Sequence, residues 1–217
     1  MEKQDSVLFL CAHNDDQLIG AGGTIAKYAK DGKKVVTIIF SFGETSLPHF
    51  HEKISRKTRV IESKRSAKLL GEGELYYLGI KEGNFKQEIM EKDILGKIKA
   101  IIDRIKPSKI FTHSVDDPHP DHKAVYNFTI ELIDKINFKG SVYSFNIWNF
   151  FINIRKRDSP KLLVDITDTF KTKVNAFKLH KSQLPARMSL MWHVYFQAFV
   201  NGINHNMKYA EVFYKIR

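Results

Sequence analysis

The sequence predicts an α/β fold, a three-layer sandwich in which helices cover both faces of a mainly parallel sheet. Two observations lead to this prediction. Short apolar, β-branched runs alternate with stretches that have helical spacing, and the runs themselves are almost continuously apolar. Strands buried on both faces have this character, and a helix between two strands allows them to run parallel. The chain has 217 residues, and we treat residues 1–217 as a single domain.

The elements predicted for the first two thirds follow this alternation. In chain order they are strand Val7–Cys11, helix Gly22–Asp31, strand Val35–Phe40, helix Glu52–Leu70, strand Leu75–Leu78, helix Ile89–Ile105, strand Lys109–Thr112, helix Ala124–Ile136 and strand Ser141–Ile147. Gly32, Gly71 and Pro107 supply three of the stop signals. This order is typical of a Rossmann-like sheet, in which ligands bind at the carboxyl ends of the strands, where the winding reverses.

The last third has a different pattern and predicts a C-terminal mixed α/β extension. We expect a strand at Leu163–Ile166, a helix at Phe170–His180 and a last strand at Ala210–Lys215. The segment Ala186–Val200 between them is rich in Met and aromatic residues, including Trp192. Three interpretations of this segment are open: a core helix, a lid over the ligand crevice or a contact between subunits.

Composition narrows the class of protein. Hydrophobic residues make up 43% of the chain, which is ordinary for a globular protein, and the formal net charge is +11. The lysines are scattered along the sequence, which indicates solvated helix faces rather than a groove that binds nucleic acid. A positive net charge would also suit an anionic substrate. No nucleic acid partner is expected, and a homo-oligomer is allowed. The lone Cys11 excludes an intramolecular disulfide, and no apolar stretch is long enough to span a membrane, so we expect a cytoplasmic protein.

Two polar clusters follow predicted strands and carry the chemistry. His13, Asp15 and Asp16 come directly after the first strand, and the run Asp116–His122 follows the fourth. In a doubly wound sheet these two strands flank the point where the winding reverses, so the clusters would face one another. Two histidines and one carboxylate leave an open coordination position, which is the pattern of a hydrolytic zinc site.

Other interpretations of these residues exist. Asp and Asn after a strand often only cap helices or make turns. Gly20, Gly22 and Gly23 could cradle a phosphate, which would indicate a Rossmann-like nucleotide or methyl-donor binding protein without hydrolase activity. Their spacing does not match the dinucleotide fingerprint, and no acidic residue closes the second strand near Phe40. A third interpretation is a binding or scaffold protein that has kept the fold but has no catalytic activity.

The sequence resembles the PIG-L/LmbE-like zinc-dependent de-N-acetylases. Their Ala-His-Pro-Asp-Asp-Glu motif corresponds to Ala12–Gln17, their Gly-Gly pair to Gly22-Gly23, and their His-Pro-Asp-His motif to His119–His122. Asn14 replaces the Pro and Gln17 the Glu of the first motif, but neither position is a ligand.

Weaker similarities extend the resemblance over most of the first 183 residues. They are Arg59-Val-Ile-Glu62, Leu78-Gly79-Ile-Lys-Glu82-Gly83 and His180-Lys-Ser182-Gln183. The second of these segments carries Glu at position 82 where the family usually has Asp, which affects how a sugar would be recognised.

The resemblance implies a hydrolase that removes an N-acetyl group from an N-acetylglucosamine-type sugar or glycoside. It implies that His13, Asp16 and His122 hold one Zn²⁺ per chain. Asp15 would be the general base that takes a proton from the attacking water. His119 would stabilise the oxyanion or protonate the leaving amine.

Four further residues complete the expected site. By the resemblance, Asp121 orients His119 and tunes its pKa. Arg59 would contact a sugar hydroxyl or a phosphate, and Glu82 belongs to the substrate loop. His113, at the end of the fourth strand, is expected to line the site.

Overall fold

The computed structural model describes residues 4–44, 52–148 and 160–217, apart from the side chains of residues 185 and 186. Its strands are β1 Ser6–Cys11, β2 Lys34–Ile39, β3 Glu74–Tyr77, β4 Lys109–His113, β5 Ser141–Phe145, β6 Lys161–Asp165 and β7 Ala210–Lys215. Its α-helices are α1 Asp16–Lys30, α2 Glu52–Leu70, α3 Phe85–Glu91, α4 Ile94–Ile105, α5 Pro120–Lys135, α6 Phe170–Lys178 and α7 Leu184–Ile203.

The strands form a seven-stranded sheet in the order β3-β2-β1-β4-β5-β7-β6. The first five are parallel, whereas β7 runs antiparallel to both β5 and β6. The predicted mainly parallel sheet with a mixed C-terminal extension is therefore confirmed. The winding reverses between β1 and β4, which are neighbours, so the loops that follow these two strands meet at one edge of the sheet.

Helices cover both faces of the sheet, as the apolar strands predict. Strand β1 is buried throughout, and its side chains alternate between two cores, with Phe9 in one and Leu8 in the other. The first core includes residues of α1, α6 and α7, and the second residues of α3, α4 and α5. This arrangement is the expected three-layer sandwich.

Most strand bounds lie within one or two residues of those predicted, but three helices differ. Helix α1 begins at Asp16 rather than Gly22, and α5 begins at Pro120 rather than Ala124. The helix predicted at Ile89–Ile105 is two helices. Asp93 interrupts it with a left-handed backbone (φ 46°), and its side chain accepts a hydrogen bond from Gly96 N at the start of α4.

The glycines of α1 lie inside the helix because it packs closely on its neighbours. A Cβ at Gly23 would lie 2.7 Å from Cδ1 of Ile166, and one at Gly22 would lie 3.0 Å from Cγ of Lys173. A Cβ at Gly20 would overlap the ring of Phe145. These glycines therefore face protein and do not form the phosphate cradle that the nucleotide-binding interpretation requires.

A buried ion pair holds α1 against the C-terminal extension. Lys173 Nζ donates to Glu211 Oε1 at 2.6 Å and to the carbonyl oxygen of Ile19 at 2.8 Å. The Glu211 carboxylate also accepts hydrogen bonds from the backbone N–H groups of Gly23 and Thr24, at 3.0 and 2.7 Å. Both charges are thus paired and hydrogen-bonded, as burial demands.

The aromatic segment of the last third is helix α7, and it is a core helix along one side only. Leu190, Val194 and Ala198 are buried in the first core. Trp192 and Phe196 are about half exposed. Within the described ranges, no helix combines the length and the hydropathy that crossing a membrane requires.

We expect Lys173→Met to lower the free energy of unfolding by about 3–5 kcal/mol, because it leaves the buried Glu211 carboxylate without its cation. Urea unfolding measures the change. The matched control is Lys135→Met on α5, which removes an exposed pair with Glu131 (N–O distance 2.6 Å) and should change stability by less than about 1 kcal/mol. Equal effects in the two variants would show that the buried pair does not anchor α1.

Candidate metal centre and active site

The first site loop turns sharply between β1 and α1. His13 N donates to Asp16 Oδ2 at 2.7 Å, and the carbonyl oxygen of Asp15 accepts the first helical hydrogen bonds of α1. The turn directs the Asp16 side chain back over His13, whereas Asp15 faces away from it. The two adjacent carboxylates therefore point in different directions, and His13 and Asp16 lie side by side.

The second site loop connects β4 to α5 and is held by its own side chains. His119 N donates to Asp117 Oδ1 at 3.0 Å, and Asp121 N donates to His119 Nδ1 at 3.2 Å. His119 is thus the N-cap of α5, and Pro120 occupies the first helical position, where its missing N–H costs nothing. His122 lies in the first turn of α5, which returns its side chain towards β1.

One ligand atom from each of His13, Asp16 and His122 meets at the edge of the sheet. The chosen ligand atoms all lie within 4.8 Å of one another. His122 Nε2 lies 3.3 Å from His13 Nδ1 and 3.4 Å from Asp16 Oδ1, and the other carboxylate oxygen, Asp16 Oδ2, lies 3.6 Å from His13 Nδ1. Ligands about 2.0–2.1 Å from one ion in tetrahedral geometry stand roughly 3.3–3.4 Å apart. All three residues are buried. The donor set therefore fits one divalent metal ion.

A carboxylate lies behind each of the two histidines of this group. His13 Nε2 is 3.3 Å from Asp121 Oδ2, and His122 Nδ1 is 3.0 Å from Asp117 Oδ1. Such carboxylates fix the ring orientation of metal-binding histidines and leave the other nitrogen directed at the ion. In this geometry Nδ1 of His13 and Nε2 of His122 are the ring nitrogens that could bind a metal ion.

These carboxylates also set the protonation of the metal-free site. Burial lowers the pKa of His13, but hydrogen bonds to Asp121 and Asp16 outweigh burial and raise its pKa to about 10. Burial likewise lowers the pKa of His122, while Asp16 and Asp117 raise it to about 9. Without a metal ion, both imidazoles are protonated at neutral pH.

The contacts of Asp121 differ from the sequence prediction. We expected its carboxylate to orient His119, but the carboxylate lies against His13 and accepts a hydrogen bond from Gly83 N at 3.2 Å. Only its backbone N–H meets His119. Asp121 therefore supports a metal ligand first. Burial and the positive charges of His13 and His122 lower the pKa of His119, and the negative charge of Asp121 partly opposes them, so Asp121 does influence this pKa.

His113 belongs to the site, as expected, but it packs against the His13–Asp16–His122 group and does not line the cavity, so it has no contact with a substrate there. It is fully buried behind the metal group, with Nε2 3.2 Å from Asp16 Oδ2 and 3.0 Å from Ala12 N, and its ring stacks on that of His122. Burial and the nearby His122 lower its pKa to about 4. A neutral His113 thus packs beneath the metal ligands.

Arg59 reaches the site from α2 and contacts Asp15. Its Nη2 donates to Asp15 Oδ1 at 3.3 Å, and its Nη1 donates to the carbonyl oxygen of Gly43 at 2.8 Å. Gly43 has φ +67°, and a Cβ there would overlap the guanidinium group. The loop after β2 thus fixes the position of the Arg59 guanidinium group. The guanidinium group in turn donates a hydrogen bond to one oxygen of Asp15.

These residues surround a cavity of about 190 Å³. Its polar wall comprises His13, Asp15, Asp16, Arg59, Glu82 and His119. The other wall comprises Ile19, Ile147, Trp148, Gln183 and Leu190. Glu82 Oε1 lies 3.5 Å from His13 Nε2, so the loop that carries Glu82 directly approaches the His13–Asp16–His122 group. Asn14 and Gln17 do not line the cavity.

The sequence did not identify Asp117 or the second wall of the cavity. Asp117 stands in the same acidic run as Asp116, and nothing in the sequence separates the two, although only Asp117 is buried. Gln183 lies in a segment that we noted but assigned no role. The Glu62 carboxylate fixes this segment by accepting hydrogen bonds from Ser182 N and Oγ, at 2.9 and 2.5 Å.

The chain is similar in sequence to a known protein family and to a characterised relative. A family model described as PIG-L, GlcNAc-PI de-N-acetylase, matches residues 8–133, which is more than half of the chain and includes both site loops. Diacetylchitobiose deacetylase from Thermococcus kodakarensis is 28% identical over 229 residues, covering 94% of this chain and 80% of that protein.

Two solved structures share the fold. N,N′-diacetylchitobiose deacetylase from Pyrococcus horikoshii has a TM-score of 0.80 at 23% identity, covering 98% of this chain and 84% of that one. The 4-carboxy-2-hydroxymuconate hydratase GalB from Pseudomonas putida has a TM-score of 0.82 at 22% identity, covering 99% of this chain and 97% of that one. The family match spans the turn after β1 that carries His13 and Asp16 and the capped start of α5, and on that match the chain belongs to the PIG-L family of de-N-acetylases.

Proposed function

We propose that the protein is a zinc-dependent hydrolase that removes the N-acetyl group from an N-acetylglucosamine-type sugar or glycoside. One observation carries this proposal: the His13–Asp16–His122 group opens on a cavity that is also lined by Asp15 and His119, a carboxylate and an imidazole outside that group. The deacetylase relative and the family match support the same activity.

His13, Asp16 and His122 would hold the zinc ion. Bound there, zinc polarises the acetyl carbonyl and lowers the pKa of water. Three protein ligands leave a position for substrate or water, as in other hydrolytic zinc sites. The proposal of zinc over other divalent ions rests on this mixed nitrogen and oxygen donor set.

Asp15 and His119 would move the protons. Amide hydrolysis adds water across the carbonyl carbon and breaks the C–N bond, giving acetate and a free amine. Asp15 accepts a proton from the attacking water, and Arg59 holds the other side of its carboxylate in place. His119 Nδ1 accepts a hydrogen bond from the backbone N–H of Asp121, so its remaining N–H, at Nε2, would stabilise the oxyanion from the cavity wall. In its imidazolium form His119 would instead protonate the leaving nitrogen.

Substrate specificity would come from the rest of the cavity wall. Glu82 and Gln183 can hydrogen-bond sugar hydroxyls, and Trp148 offers an apolar surface. An anionic substituent on the sugar would suit the net charge of +11. We place the reaction in the cytoplasm, where the single thiol of Cys11 needs no partner.

The test of the proposal is release of acetate from a panel of N-acetyl sugars and glycosides by the zinc-loaded protein. A panel of unsaturated carboxylates, assayed for hydration, accompanies it because a hydratase shares the fold. Hydration without acetate release would contradict the proposed deacetylase activity but not the proposed metal site.

We expect two substitutions to separate metal binding from chemistry. His122→Ala should remove most of the metal, whereas Asp15→Asn should keep the metal and lower kcat by roughly 10²–10⁴, the usual contribution of a positioned acid–base group. Elemental analysis and kinetics on the same samples measure both. His205→Ala, at an exposed histidine, is the control and should change neither. Full metal occupancy in His122→Ala would refute the ligand assignment.

Asp117→Asn should weaken metal binding about 10–100-fold, because His122 loses the carboxylate that orients it. Asp116→Asn, at the exposed neighbouring residue, is the matched control and should bind metal like the native chain. Competition with a chelator measures the affinities. Equal affinities in the two variants would mean that Asp117 does not support the ligand.

Metal uptake should release protons at neutral pH. In the metal-free protein His13 and His122 have pKa values of about 10 and 9, so both are protonated at pH 7 and must lose a proton to bind the ion. Apparent affinity should therefore rise with pH and level off once the pH exceeds these values. Calorimetry in buffers of different ionisation enthalpy counts the protons. Zinc uptake at pH 7 without proton release would contradict the assigned protonation.

A further inference from the structure

The outward side of α7 carries a continuous apolar surface. It consists of Leu184, Met188, Trp192, Tyr195, Phe196, Phe199 and Ile203, each between 43% and 69% exposed. We call it the α7 face. These are seven of the twelve large apolar side chains that are exposed in the described part of the chain. Their spacing of three and four residues places them along one stripe of the helix.

The α7 face is also almost free of charge. Arg187 is the only charged residue of the 20 in α7, although charged residues make up 27% of the chain. Two copies of a protein with a net charge of +11 repel one another, so contact is favoured where the charge is absent. The α7 face is such a place.

The area of the α7 face suits a dimer. With on the order of 150–250 Å² for each large side chain, the exposed fractions amount to roughly 700 Å² per copy. A stable interface buries about 800 Å² per partner. Part of the surface is already ordered, because the ring of Trp192 lies 6.1 Å from that of Phe196, and Tyr195 packs on Phe170 at 5.0 Å. Association would therefore lose little side-chain entropy there.

Charge selects the direction in which two such helices pair. Lys178, Lys181 and Arg187 surround a cleft at the N-terminal end of α7. Parallel pairing would bring the two basic ends together. Antiparallel pairing instead brings each basic end to the last turn of the other helix, which has no charged residue and carries the negative end of the helix dipole.

We propose that the occupant of the α7 face is a second copy of this chain, related by a twofold axis that passes near the centre of α7. In this arrangement Trp192 of one copy contacts Tyr195 of the other, and Met188 contacts Phe199. The contact is isologous and closes as a dimer. The proposal concerns assembly and does not depend on the proposed activity.

The first test is the oligomeric state of the full chain by analytical ultracentrifugation over a range of concentrations. The native chain should be a dimer, and Phe196→Asp should raise the dimer dissociation constant at least about 30-fold, the usual loss at a central aromatic contact. Met90→Asp is the matched control. Met90 is the most exposed of the twelve apolar residues, at 78%, but lies on α3, and its replacement should leave the dimer unchanged. Circular dichroism checks that both variants fold.

Cysteine cross-linking tests the direction of pairing, since the native Cys11 is buried. Met188→Cys and Phe199→Cys are made separately. The two positions lie about 16 Å apart along the helix, so in an antiparallel dimer neither variant should cross-link to itself, whereas a mixture of the two should. Self-cross-linking of each variant would overturn the antiparallel arrangement.

A native chain that stays monomeric at 100 µM and above would overturn the proposal. So would a dimer that Phe196→Asp leaves intact. Binding of the monomeric chain to anionic lipid vesicles, lost in Phe196→Asp, would assign the α7 face to a membrane surface instead of a second copy.

Discussion

The buried carboxylate of Asp16 is the group on which the rest of the site depends. Its oxygens lie 3.2–3.6 Å from nitrogens of His13, His113 and His122. A buried charge without partners would be prohibitively unfavourable. Burial raises the pKa of Asp16, but His122 and His113 hold it well below its usual range. Without metal, the protonated His13 and His122 neutralise the carboxylate, and a bound dication would take over that role. The negative charge of Asp16 is therefore neutralised both in the metal-free protein and when a metal ion is bound.

This group of residues needs a rigid support, because its hydrogen bonds depend on distance and angle. The support comes from both site loops and from the opposite end of the chain. Asp117 ties the second loop to His122, and its other oxygen accepts a hydrogen bond from Trp148 N at 3.4 Å. The pair Lys173–Glu211 ties the first turns of α1 to the C-terminal extension. The mixed C-terminal part of the sheet thus stabilises the loop that carries His13.

The sheet could be predicted from the sequence because it depends on local patterns, and the proposed metal ligands follow from a resemblance carried by two short motifs. Continuous apolar runs such as Val7–Cys11 can hardly be anything but buried strands. The start of α1 was wrong, since glycine usually weakens a helix and only the close approach of Lys173 and Ile166 explains its presence there. The contact of Asp121 with His13 joins residues 108 positions apart, so no spacing rule could reveal it. The second cavity wall could not be predicted for the same reason, because its residues come from segments that are distant in sequence.

Asp15 and Asp16 show how one short turn can serve two kinds of chemistry. Asp15 is the N-cap residue of α1 and Asp16 the first residue of the helix, so their side chains leave the backbone in different directions. Asp16 turns to the imidazoles, and Asp15 turns to Arg59, which the loop after β2 holds. The proposed base and the proposed acid, His119, therefore belong to loops after two different strands. Neighbouring strands stand about 4.8 Å apart, so the pairing of β1 with β4 sets the distance between the two loops. The sheet itself thus brings the proposed base and the proposed acid to one cavity.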